Sequence, residues 1–263
     1  MKARLFTALL TLAAAAVAYS AFGINLLSYQ SADIPANMGR DALRQIVQDQ
    51  CVVNWTRHND PAPCERVFLA DGKTSHSGYA ILADRKGGAH YLLIPTQTMA
   101  GTDAGELLDP DMPNYFAEAW HARDLLTKFV GHEVPRTAVG LAVNNVQNRS
   151  QDQFHIHIEC LRREVMESLR AASDRLTGTW APIDVSGSTY QALRIGTLDL
   201  DGSNPFELLA ALSPESRHHM GDYTLVVAGM QFASGPGFVV LTGTGRTGEL
   251  LLESSCTVAG GGG

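Results

Sequence analysis

A chain of 263 residues with 45% apolar side chains and 18% charged ones is large enough to bury a core, which excludes a disordered polypeptide. Its formal net charge of −7 excludes a wide nucleic-acid surface, because phosphate backbones are held by clustered Lys and Arg. A small basic pocket remains compatible with that balance.

No charged residue occurs between Leu5 and Ala32. The run Leu5 to Leu27 would reach about 34 Å as a helix, enough for a hydrocarbon core of about 30 Å. Lys2 and Arg4 precede it and Asp33 follows, so the positive-inside rule puts the body on the extracytoplasmic, periplasmic side of an inner membrane. Residues 1–32 are therefore expected to be a single-pass membrane anchor. The alternative is a cleaved signal peptide, with Ala16-Val17-Ala18 as the small-x-small site. Export favours disulfides: Cys51 with Cys64 across a proline-containing loop, and Cys160 with Cys256, against the alternative of four reduced, buried thiols.

The body is expected over 33–257, with a motif-bearing half to about 177, a C-terminal half from about 178, and a flexible glycine tail at 258–263. Residues 33–50 read as an amphipathic helix through Leu43, Ile46 and Val47. Strands are expected at 78–83 and 90–95 around a Lys86-Gly87-Gly88 turn, then a loop at 101–113. A helix over 115–129 buries Phe116, Ala119, Trp120, Leu125 and Leu126, with Asn114 as N-cap. A strand at 137–143, a polar turn at 144–152, a strand at 153–160 and a helix at 163–176 come next. The C-terminal half reads as strands near 190–195, 223–229 and 237–241 and a helix at 205–212. The sum is an α+β body with helices packed on a mostly antiparallel sheet.

The chemistry concentrates on Gln153-Phe154-His155-Ile156-His157-Ile158-Glu159-Cys160. Period-two alternation puts Phe154, Ile156, Ile158 and Cys160 on one face and Gln153, His155, His157 and Glu159 on the other. Imidazoles about 7 Å apart on one face can converge on a phosphate group, one as nucleophile and its neighbours as hydrogen-bond and proton partners. Metal binding by the two histidines with Glu159, His218 or His219 is the competing reading, as is a solvated strand face.

The stretch Asn144, Gln151, His155-Ile156-His157-Ile158-Glu159 resembles the histidine-triad superfamily: a strand ending in Asn, a loop, Gln, then alternating histidines. That resemblance implies a histidine-triad-like fold and makes His157 the middle member, the nucleophile toward a nucleotide α-phosphate. Glu159 stands where the third histidine is typical. A rival register starts at Gln153 and gives the role to His155. The order of apolar N-terminus, Cys51 and Cys64, Leu93-Ile94-Pro95-Thr96, Pro113-Asn114-Tyr115-Phe116, Ala119-Trp120-His121-Ala122-Arg123-Asp124, the histidine strand and His219-Met220-Gly221 is similar to the CDP-diacylglycerol pyrophosphatase family.

That similarity implies hydrolysis of CDP-diacylglycerol to CMP and phosphatidate through a nucleotidyl-histidine, with no cofactor or metal and with the membrane and its lipid as partners. The catalytic residues are then His157, His155 and Glu159, and the substrate-binding candidates are Asn144, Gln151, Arg149, Arg123 and His219. A nucleotide pyrophosphatase acting on soluble substrates, or a non-catalytic exported nucleotide- or metal-binding module, are the alternatives.

Overall fold

The computed structural model describes residues 39–70 and 78–257. The expected anchor and the glycine tail lie outside these residues. Among the described residues no helix is long and apolar enough to cross a membrane.

Among the described residues ten strands form a single sheet in which every pairing is antiparallel. They are β1 (Arg66–Phe68), β2 (Tyr79–Ala83), β3 (Tyr91–Pro95), β4 (Val139–Val143), β5 (Ile156–Leu161), β6 (Ala181–Val185), β7 (Ser188–Ile195), β8 (Tyr223–Phe232), β9 (Gly235–Thr244) and β10 (Leu252–Glu253). The spatial order is β1-β2-β3-β5-β4-β8-β9-β7-β6, and β10 pairs with the end of β5. The expected antiparallel α+β architecture is what forms. The two halves of the body share this one sheet, joined where β4 pairs with β8.

Both sheet faces are covered. Helices α1 (Ala42–Ile46) and α2 (Val52–His58) belong to the N-terminal helical rod. Phe154, Ile156, Ile158 and Cys160 enter the largest core, under α3 (Tyr115–His121), α4 (Asp124–Val130) and α6 (Pro205–Leu212). The opposite face carries two apolar clusters. In one, Leu43, Ile46 and Val47 of the N-terminal helical rod pack on Ala80, Leu82, Leu92 and Ile94. In the other, α5 (Arg163–Ala172) packs through Val165 and Leu169 on Ala142, Val226, Ala228 and Leu241. In register, His157 lies between Leu92 of β3 and Ala142 of β4, so the polar row of β5 runs along the seam between these clusters.

Local departures from the expected elements have local causes. The helix expected over 115–129 is two helices: Arg123 Nη1 donates to Trp120 O at 2.7 Å, and i→i−3 bonds from Arg123, Leu125 and Leu126 N replace the regular ladder. Asn114 does cap α3, its Oδ1 accepting from Ala117 N at 3.3 Å. The histidine strand begins at Ile156 rather than 153, since Gln153 makes only a single bridge with Ala100. Strands β1, β6 and β10 are short or edge elements that alternation does not reveal. Both expected disulfides, Cys51–Cys64 and Cys160–Cys256, are formed; the second ties the histidine strand to the C-terminal segment.

Candidate active site

The polar row is buried, which removes the competing reading of a solvated strand face: Gln153, His155, His157 and Glu159 are each less than a tenth exposed. Two turns close over them. The β2–β3 turn, Asp84 to His90, reverses through Gly87 and Gly88, both at positive φ, where a side chain would be strained. It is tied to the C-terminal segment by Ala89 N donating to Ser254 O at 2.7 Å. The second turn, Gly248–Leu251, leads from β9 to β10. Between these turns and the N-terminal rod lies a cavity of about 250 Å³. Its lining includes Leu43, Arg85, Lys86, His155, His157 and Glu249.

The two strand histidines have different surroundings. His155 Nδ1 lies 2.8 Å from Gln153 O, a carbonyl that can only accept, so Nδ1 carries the proton and Nε2 is left with its lone pair. Burial pushes the His155 imidazole down to about 4, which keeps the ring neutral at physiological pH. His157 is engaged at both nitrogens. Its Nδ1 is 2.9 Å from His90 Nε2, and its Nε2 is 2.9 Å from Glu249 Oε1. The second contact is an imidazole–carboxylate pair, and this nitrogen is sealed from solvent. The rings of His155 and His157 meet edge to face, with centroids 4.9 Å apart.

His90 and Glu249 complete a network invisible in the motif. His90 Nε2 lies 3.2 Å from Glu159 Oε1, and its Nδ1 lies 3.8 Å from Asp84 Oδ1. Burial, then His157, hold His90 down at about 4. Glu159 is pushed up to about 8, first by burial and next by the Glu249 carboxylate, so it is a neutral acid at pH 7. Glu249 is held down at about 2, chiefly by His157.

The predicted substrate ligands divide. Gln151 lines the cavity, but its side chain is committed to the N-terminal segment, accepting from Leu43 N and donating to Gly39 O. Asn144 Oδ1 accepts from Thr247 Oγ1 at 2.6 Å, Gly248 N at 2.8 Å and Glu249 N at 3.4 Å; it holds a turn. Arg149 is largely buried beside Gln153 and His155, with Nη1 paired to Asp103 at 2.6 Å. Arg123 is on the opposite sheet face, its guanidinium 4.4 Å from the Trp120 ring centroid within the large core. His219 ends α7 (Pro214–His218), exposed, in a separate cleft with Asp103 and Arg217. Neither residue is brought to the histidines, because the signal for each was helix or motif position with no long-range information. Arg85 and Lys86 supply cationic charge at the cavity instead.

A cation could be held among the described residues by His90, His157 and Glu249, whose ligand atoms lie within 4.8 Å of one another. His218 and His219 take no part in that group.

Paired imidazoles and carboxylates in a cavity with cationic side chains at its wall are groups able to bind a phosphate and move protons at it. Residues 38–259 match the CDP-diacylglycerol pyrophosphatase family, and the chain belongs to that family. Its members act on the diphosphate of CDP-diacylglycerol.

Proposed function

We propose that the chain releases CMP and phosphatidate from CDP-diacylglycerol through a nucleotidyl-histidine, and that His155 Nε2 is the attacking atom. One observation carries the choice: Gln153 O takes the His155 Nδ1 proton, leaving Nε2 unprotonated on a ring that lines the cavity. His157, first in the sequence reading, is the weaker candidate because its Nε2 is sealed and faces a carboxylate that would repel the phosphate. The His155 lone pair bonds to the cytidylyl phosphorus, the bond to the bridging oxygen breaks, and phosphatidate leaves with the electron pair. Arg85, Lys86 and Arg149 offset the diphosphate charge. Water then cleaves the P–N bond and CMP departs.

The test is rapid-quench kinetics with CDP-diacylglycerol in detergent micelles. His155→Asn should form no acid-labile adduct and lose at least about 10³-fold in CMP release. His157→Asn should still form the adduct. An adduct that survives in His155→Asn but vanishes in His157→Asn returns the role to His157. Comparison with CDP-choline separates a lipid substrate from a soluble one. The His90, His157 and Glu249 group supports a second reading, metal-bound hydroxide, which predicts loss of activity with chelator and recovery with zinc.

We read the apolar run Leu5 to Leu27 as an anchor holding this body on the extracytoplasmic face of the inner membrane. Two disulfides support export. A cavity wall built from Gly39, Ala42 and Leu43, soon after that run, suits a substrate whose tails stay in the bilayer. Carbonate extraction checks this, since release of the body into the wash would exclude an anchor.

A further inference from the structure

The cavity that holds the histidines is too small for the whole head group of the substrate proposed above. Its volume, about 250 Å³, falls short of the roughly 300–1,000 Å³ of pockets that enclose a small organic ligand. A second cavity of about 390 Å³ adjoins it. Lys86 and Glu249, 3.6 Å apart, line both, so this ion pair is the wall they share. The second cavity reaches Glu159, which lies about 13 Å along the strand from His155.

The two cavities differ in chemistry. The first is walled by Ala42, Leu43 and Leu92, and the Gln151 amide at its edge is spent on Gly39 O and Leu43 N. The second presents groups whose hydrogen-bonding capacity is unspent. The Arg162 guanidinium makes no ion pair among the described residues, and the Ser254 hydroxyl makes no hydrogen bond there. Ser254 is nonetheless fixed in place. Ala89 N donates to its carbonyl at 2.7 Å, and Gly88, at positive φ, packs so close that a Cβ there would lie 2.8 Å from Ser254 Cβ. Beside these donors Leu250 leaves its large apolar side chain exposed. Donors for the edge of a planar base and an apolar side chain for its face are what recognition of a nucleobase requires.

We propose that the second cavity is the cytidine subsite, in which Arg162 and Ser254 donate to the ring nitrogen and carbonyl oxygen of the base and Leu250 covers its face. This assignment rests on hydrolysis of CDP-diacylglycerol as read above, and it gives that substrate one direction across the site. The acyl tails leave past Leu43, the diphosphate lies at His155 beside Arg85 and Lys86, and the nucleoside runs along β5 toward Arg162. Lys86 is largely exposed, so rotation of that one side chain away from Glu249 joins the two cavities around the ribose.

The experiment measures KM for CDP-diacylglycerol in detergent micelles, together with inhibition by each half of the product, CMP and dioctanoyl phosphatidate. Arg162→Ala should raise KM and the inhibition constant of CMP by at least about tenfold, leaving kcat and inhibition by phosphatidate close to wild type. Leu250→Ala should weaken CMP about threefold with the same selectivity. Both side chains are exposed, so either variant reads the subsite if the other disturbs its loop. Unchanged CMP inhibition and KM in both variants overturns the assignment. Weakened inhibition by phosphatidate in place of CMP overturns it as well, since the lipid half would then occupy this cavity. Wild-type protein that fails to turn over CDP-diacylglycerol removes the reading on which the subsite rests.

Discussion

Replacing Asn144 by alanine deletes the acceptor on which the Glu249 turn hangs. The bond from buried Gly248 N at 2.8 Å is well formed, and leaving such a donor unsatisfied costs about 1–3 kcal/mol. The Thr247 hydroxyl at 2.6 Å adds about 1 kcal/mol, while Glu249 N at 3.4 Å is long enough to ignore. The expected loss is about 2–4 kcal/mol, or roughly 5–15 °C in Tm for a body of this size. Because the turn carries Glu249, kcat should fall with it. Asn144→Asp separates the two roles open to this residue. An aspartate keeps the acceptor for all three donors, so a turn-holding Asn144 predicts that Asp retains most of the stability with KM unchanged. A phosphate-holding Asn144 predicts repulsion and a raised KM. Thermal unfolding and steady-state kinetics on the two variants decide it. Alanine as stable as wild type, or aspartate with normal Tm and a raised KM, would refute the reasoning.

Arg123→Ala should lose about 0.5–2 kcal/mol with its stacking on Trp120 and leave KM for CDP-diacylglycerol unchanged, as measured by unfolding and initial rates. A several-fold rise in KM would place the guanidinium at the substrate after all. Glu159 gives a pH signature. Its folded-state value, about 8, is above the ordinary 4.5, so between these values the unfolded chain releases a proton that the folded chain keeps. Its contribution is fully present below about pH 4.5 and is lost as pH rises through about 8. Wild type should therefore lose Tm relative to Glu159→Gln between pH 5 and pH 8.5, and a constant difference across that range would refute the buried neutral acid.

Much of the scaffold is legible in the sequence because it is encoded by local repetition. Alternation along residues 154–160 assigns the apolar side of β5 to the core, and Phe154, Ile156 and Ile158 are there. The inward face of α3 and α4, the Asn114 cap and the Cys51–Cys64 pairing come from spacing and turn chemistry in the same way, and Cys160–Cys256 follows as the remaining pair. His155 and His157 stand out because two histidines on one strand face are visible within three residues.

What the tertiary structure alone decided is which nitrogen is usable and what surrounds it. His90 and Glu249 come from turns far from the histidines in sequence, and only the pairing of β3 and β10 with β5 brings them together. The same burial that makes His155 neutral makes Glu159 an acid, and neither property belongs to a residue type. Asn144 reads as a ligand because its spacing is visible, whereas its three donors sit about a hundred positions later. Local pattern fixes which face a side chain occupies. Desolvation and hydrogen-bond direction depend on every segment that closes over that face, and those segments meet only in the folded chain.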